Sequence, residues 1–187
     1  LLGEDVVPFQ FAGLASGRQT RLLRAAPQSE AAVASASGYR DTIADAGIVL
    51  SVEERVALIA ARSHELAASV GGALVEDPDL LAEVANLVES PTPVLGAYSE
   101  EYLMLPREVL TTVMRKHQRY FAVEAEGGLR PYFVAVRNGG TDGDDVVRSG
   151  YEAVLRARFA DASFFFREDL DERLEAHLPR LGTLTFQ

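Results

Sequence analysis

Two stretches of the 187-residue chain carry side chains whose types and spacing could do chemistry. In Arg115-Lys116-His117-Gln118-Arg119-Tyr120-Phe121, four cationic or proton-donating groups run from the end of an expected helix into an expected strand with aromatic rings. Guanidinium groups make planar, two-pronged contacts with phosphate, so this turn would present an edge to RNA. A purely structural reason is also available, because the helix macrodipole favours cations at a C-terminus by about 0.3–1 kcal/mol. The second stretch runs from Leu155 to Phe166, with Arg158 and Asp161 spaced as i,i+3 partners and Phe164, Phe165 and Phe166 in succession. Successive helical residues point about 100° apart, so the three rings sweep about 200° of the circumference. One face of one domain does not cover all three. Either this helix is unusually engulfed, or a ring waits for a missing domain or partner.

Other chemistries fail on spacing. Asp142-x-Asp144-Asp145 suggests a calcium loop, but its sharp-turn glycine would have to be Val147 and its bidentate glutamate Ala153. His64, His117 and His177 are too far apart for a local metal motif. Gly13-x-x-x-Gly17 lacks the Gly-Lys-Ser/Thr of a phosphate-cradling loop, and no serine sits in a Gly-x-Ser-x-Gly elbow. No self-sufficient catalytic centre, cofactor site or metal site is expected.

The balance of 18 basic against 28 acidic side chains gives a net charge of -10, which argues against a nonspecific nucleic-acid binder. Charge is uneven, however. Leu1 to Leu105 holds 6 basic and 15 acidic residues, Pro106 to Arg167 holds 10 and 8, and the remainder 2 and 5. Nine of the ten basic residues in the middle segment are arginine. They would either face phosphate or pair with neighbouring acids on solvated helix faces. The absence of cysteine excludes a disulfide framework, a thiolate nucleophile and Cys-ligated zinc. No apolar run reaches the roughly 18 residues needed to cross a bilayer, and Leu1-Leu2-Gly3-Glu4-Asp5 has no basic leader, so a cytoplasmic location and no membrane partner are expected. The chain opens without Met and ends at Leu184-Thr185-Phe186-Gln187 in what reads as a strand, so it reads as a piece truncated at both ends.

The elements that must position these residues follow from pattern. Val6 to Phe11 reads as a strand, followed by turns and short strands around Gly13, Gly17 and Pro27. Ser51-Val52-Glu53-Glu54 is a capping box opening a helix with Val52, Val56, Ile59, Ala60, Leu66, Ala67 and Val70 on one face, stopped by Gly71-Gly72. Asp77-Pro78 starts another helix, with Leu80, Leu81, Val84, Leu87 and Val88 on its core side and Ser90-Pro91-Thr92-Pro93 ending it. Pro106 starts a third, with Val109, Leu110, Val113 and Met114 apolar and His117 on that same side. Tyr120–Ala125 and Tyr132–Arg137 should pair antiparallel across residues 126–130, and a polar turn then leads into a long helix on which Arg148, Glu152 and Arg156 form an i,i+4 ladder. The expected class is α+β, with mixed or antiparallel sheets and several packed helices. It reads as one body, with residues 1–90 and 91–187 as the alternative division into two lobes.

Taken together, several motifs carry a family resemblance. Leu105-Pro106-Arg107-Glu108-Val109-Leu110, Met114-x-x-His117-Gln118-Arg119-Tyr120-Phe121, Pro131 to Gly139, and Val154-Leu155-Arg156-Ala157-Arg158-x-x-Asp161-Ala162-x-Phe164-Phe165 closely resemble the beta subunit of bacterial heterotetrameric glycyl-tRNA synthetase. Gly17-Arg18-x-Thr20-Arg21 and Leu87-Val88-Glu89-x-Pro91 are similar to it as well. The resemblance implies a glycine–tRNA ligase in which a partner alpha subunit activates glycine with ATP and magnesium. The beta subunit then resembles a tRNA-handling body, similar to the editing-like module of the phenylalanyl enzyme's beta subunit. The HD-type and anticodon-binding domains would lie beyond this fragment. The implied partners are the alpha subunit and glycine tRNA, with no DNA. This piece would act in tRNA positioning and subunit assembly without making bonds itself. An editing-type hydrolase for mischarged tRNA and a pure scaffold docking the alpha subunit are the alternatives. Arg115, Lys116, Arg119, Arg137 and Arg156 are the expected phosphate contacts; His117 is kept with them, although its place on the apolar side suits packing in the core. Two departures stand out: Leu22-Leu23-Arg24 replaces the family's frequent Gly-His-Arg, and Phe166 replaces its usual tyrosine, removing a hydroxyl.

Overall fold

The computed structural model describes residues 1–24, 26–171 and 173–181, and shows an α+β chain. The strand expected at Leu184–Gln187 lies outside the described residues. Contacts divide the chain into two interleaved units. The first takes Leu1–Glu65, Asp77–Val94 and Val136–Asp144; the second takes Leu66–Glu76, Leu95–Ala135 and Asp145–Gln187.

The first unit opens with a small hairpin, β1 (Gln10–Phe11) against β2 (Leu14–Ala15), antiparallel around Ala12 and Gly13, which both have positive φ. The strand expected from Val6 shrinks to its last two residues. Pro8 has no N–H to give, and the Phe9 amide goes to Ser16 Oγ at 3.0 Å. A second antiparallel pair follows, β3 (Gln19–Arg21) with β4 (Glu30–Ala32). Helix α1 (Tyr39–Asp45) buries Ile43 against Leu23 and Ile48.

Helix α2 (Val52–Ser69) begins as the capping motif requires, Ser51 Oγ accepting the Glu54 amide at 3.1 Å. The Ser51 hydroxyl itself donates to the neighbouring Glu53 carboxylate at 2.8 Å. The backbone amide and this hydroxyl, in that order, hold the Glu53 carboxyl below its ordinary value. Along α2 the deepest line is Ile59, Ser63 and Ala67, spaced by four. Helix α3 (Pro78–Leu87) is capped by Asp77, whose Oδ1 accepts from the Leu80 amide at 2.9 Å. Leu80, Val84 and Ala85 are buried, but Leu87 is 60% exposed, a correction to its expected core place: the helix ends there and Val88, already extended, turns inward instead.

Two side chains organise the crossings of this unit. Arg55 donates to the carbonyls of Ala85 (2.7 Å), Val49 (2.6 Å) and Leu50 (3.0 Å). Asn138 Oδ1 accepts from the Glu89 and Ser90 amides at 3.1 and 2.8 Å, joining the Leu87-to-Pro91 and Val136-to-Gly139 motifs.

One four-stranded sheet has the order β5-β7-β8-β6, from β5 (Ala73–Leu74), β6 (Pro91–Ala97), β7 (Phe121–Ala125) and β8 (Gly128–Asn138). The prolines expected to end α3 therefore open a strand, and that strand lies at an edge, where a missing N–H does least harm. The expected hairpin forms, β7 antiparallel to β8, with a tighter turn than expected because Ala125 already pairs with Gly128. Gly127 and Gly128 supply the positive φ values that so short a loop needs.

The core of the second unit gathers Leu105, Leu110, Met114, Tyr120, Ala122, Phe133, Ala135, Leu155 and Phe159. Leu155 and Phe159 come from helix α5 (Asp144–Asp171). Phe133 lies so close to Gly96 that a Cβ there would sit 2.3 Å from its ring. The Tyr120 ring stacks on Phe133 at 4.7 Å, and Tyr98 meets Phe159 edge-on at 5.0 Å. Burial pushes both phenols up to about 12, with Tyr151 adding to the effect at Tyr120.

Candidate nucleic-acid interface

Helix α4 (Arg107–Thr112) starts after Pro106, whose fixed φ suits a helix entry, and it is anchored by buried Leu110. It then widens into a π turn over Val113–Gln118. Arg119 follows in the left-handed region, φ 58° and ψ 40°. This is a helix cap of the kind usually built on glycine: the Tyr120 amide reaches back to the Met114 carbonyl at 2.9 Å and the Arg119 amide to Arg115 at 3.3 Å. A residue with a Cβ is costly in that conformation, and such strain is concentrated at functional sites.

Met114, fully buried, and Tyr120, 6% exposed, fix the two ends of the turn. Between them Lys116, His117 and Arg119 are exposed, while Arg115 and Gln118 are half-buried. The expectation that His117 packs in the core is corrected here. A π turn holds more residues than an α turn, so positions after Met114 rotate away from where a 100° step would put them. His117 thereby joins the exposed cationic edge. Arg115 and Arg119 are also engaged within the chain.

The remaining arginines separate by environment. Arg156 is exposed on α5, beside buried Leu155. Arg137 stands in the first unit with its side chain only 16% exposed, its guanidinium 2.7 Å from the Asp144 carboxylate and 3.1 Å from the Asp142 carbonyl. The guanidinium that the sequence offered for phosphate is thus engaged within the chain and largely covered. Arg107 pairs with Glu124 at 2.9 Å. The expected ladder on α5 is replaced by other partners: Arg148 pairs with Asp145, and Glu152 accepts the Ala97 amide at 3.0 Å. Among the described residues, no three His, Asp or Glu side chains are grouped to hold a metal ion, and no helix is long and apolar enough to cross a membrane.

Sequence reasoning located the cationic run but missed the π turn and the left-handed Arg119, since no glycine marks the place. The only signal was indirect: a helical pattern meeting a strand pattern with no turn residue between them.

The wide turn over 113–118 thus displays Lys116, His117 and Arg119 between two buried anchors, Met114 and Tyr120. The chain belongs to the glycyl-tRNA synthetase beta subunit family, whose model matches residues 1–187. It is 46% identical over 187 residues to the chloroplastic/mitochondrial glycine–tRNA ligase 2 of Arabidopsis thaliana, and 42% and 40% identical to the glycine–tRNA ligase beta subunits of Clostridioides difficile and Listeria monocytogenes. Each comparison covers all of this chain, which spans 17% of the Arabidopsis protein and 27% of each bacterial subunit.

Proposed function

We propose that this segment serves glycyl-tRNA formation by positioning tRNA within a glycine–tRNA ligase, and that it makes no bonds itself. The observation that carries this is the π turn at 113–118, closed by a strained Arg119, which holds Lys116, His117 and Arg119 exposed between two buried anchors. Arg115, at the half-buried base of the turn, and exposed Arg156 complete the proposed phosphate contacts. They fix register and orientation rather than read bases. Arg137 is left out, since its side chain is only 16% exposed and its guanidinium is held against Asp144. ATP with magnesium belongs to glycine activation on a partner alpha subunit, in a heterotetramer working in the cytoplasm. The antiparallel pairings and packed helices are compatible with a module similar to the editing-like body of the phenylalanyl enzyme's beta subunit.

The test is a salt-titrated measurement of tRNA binding to the complete alpha–beta assembly, with and without a combined Arg115→Ala, Lys116→Ala, Arg119→Ala variant. Each lost phosphate contact lowers the slope of log K against log salt by about 0.7–0.9, so the triple variant should lower it by about two to three. Unchanged affinity and slope would refute the reading.

A further inference from the structure

The Phe164–Phe166 run that the sequence singled out has no part in the cationic turn. Phe166 packs half-buried against the core, and Phe159 two turns earlier is fully buried. Phe164 and Phe165 remain 58% and 63% exposed, edge to face with each other at 5.5 Å. Beside them lies a groove of about 270 Å³ whose lining includes apolar Tyr102, Met104, Ala160 and Phe164 together with charged Glu101 and Arg167. Met104, at the end of the 3-10 turn Glu100–Met104, is 74% exposed. A groove of this size admits one large aliphatic or aromatic side chain, with exposed rings ready to cover its neighbours.

The charge around it decides what kind of partner fits. On a helix, residues three and four apart are neighbours. Asp161 and Glu168 therefore flank both exposed rings, Asp169 flanks Phe165, and Arg167 flanks Phe164. Across the 3-10 turn and α5 from Ala157 onward there are six acidic side chains against Arg158 and Arg167. Such a rim repels phosphate, and it repels a second copy of a chain with net charge -10. It attracts a segment that brings apolar anchors at helical spacing with lysine or arginine beside them.

We propose that the Met104–Phe164–Phe165 face is the docking site for a basic amphipathic helix of a protein partner. It is independent of the tRNA reading and does not fall with it. The probe is a labelled 18-residue amphipathic helix of leucine and lysine. Its controls are a leucine–glutamate peptide with the same apolar face and a scrambled lysine peptide of equal composition, all followed by fluorescence anisotropy against the 187-residue chain. The lysine helix should bind at least tenfold tighter than either control. A Phe164→Ser, Phe165→Ser variant should lose at least tenfold, and circular dichroism should show the fold kept, since both rings are exposed. Glu168→Lys should narrow the preference for the lysine helix, because the rim keeps five acidic side chains against three basic ones. Equal binding of the scrambled peptide, full binding by the serine variant, or no binding at all would overturn the proposal. Concentration-dependent dimerisation abolished by the serine substitutions would assign the face to a second copy instead, and would overturn it too.

Discussion

Replacing Arg119 with glycine separates what the backbone wants from what the side chain does. At φ 58° and ψ 40° a residue with a Cβ costs roughly 1–2 kcal/mol relative to the right-handed region, whereas glycine adopts this conformation freely. Glycine also gives the unfolded chain more freedom, which takes back about 0.4–1 kcal/mol. Arg119→Gly should therefore stabilise the fold by roughly 0–1.6 kcal/mol, less whatever the side chain's own engagement within the chain contributes. Binding should move the other way. One phosphate contact corresponds to a slope of about 0.7–0.9, so between 50 and 200 mM salt the variant should lose about threefold less affinity than the parent while binding more weakly throughout. Arg119→Ala supplies the contrast, since it removes the same charge but keeps the strained Cβ: its tRNA binding should match the glycine variant and its stability should not. Urea unfolding of the chain and salt-titrated tRNA binding of the complete assembly measure the two effects. A glycine variant clearly less stable than the alanine one would show that the cap is not strained, and an unchanged salt slope would show that Arg119 does not meet phosphate.

Gly96→Ala should destabilise the second unit by about 1–3 kcal/mol or more in urea unfolding, because the new methyl would lie 2.3 Å from the ring of fully buried Phe133, which Tyr120 holds by stacking. A change under 0.5 kcal/mol would mean that the ring moves aside freely. Stability should also fall as pH rises from about 10 to 12, because Tyr98 and Tyr120 keep their protons to about 12 in the fold and release them near 10 when unfolded. Below pH 10 these two phenols add no pH dependence. Chemical unfolding across that range checks the sign, and Tyr98→Phe should flatten the decline; a flat profile in the parent would refute it.

Several features were legible because they are local. Ser51 and Asp77 cap helices through their nearest amides, and the apolar line of α2 follows from 3.6-residue periodicity. The β7–β8 pairing follows from two strand patterns around glycines, and the family motifs can be read without any fold. Angular arithmetic on a helix also implied that one face would not cover three consecutive phenylalanines, but it left open an engulfed helix or a single waiting ring, whereas two rings are exposed.

What the sequence by itself determined about this protein is therefore its class, most of its helices, its family and the residues crowded at the cationic run. Only the tertiary structure decided which of those cations face outward. Arg137 is drawn to Asp144 within its own unit, whereas Lys116 and His117 are turned out by a π turn. That turn has no local signal, because it exists to let Met114 and Tyr120 reach the same core at once, and a constraint imposed by two distant packing contacts is not written in the spacing of the residues between them.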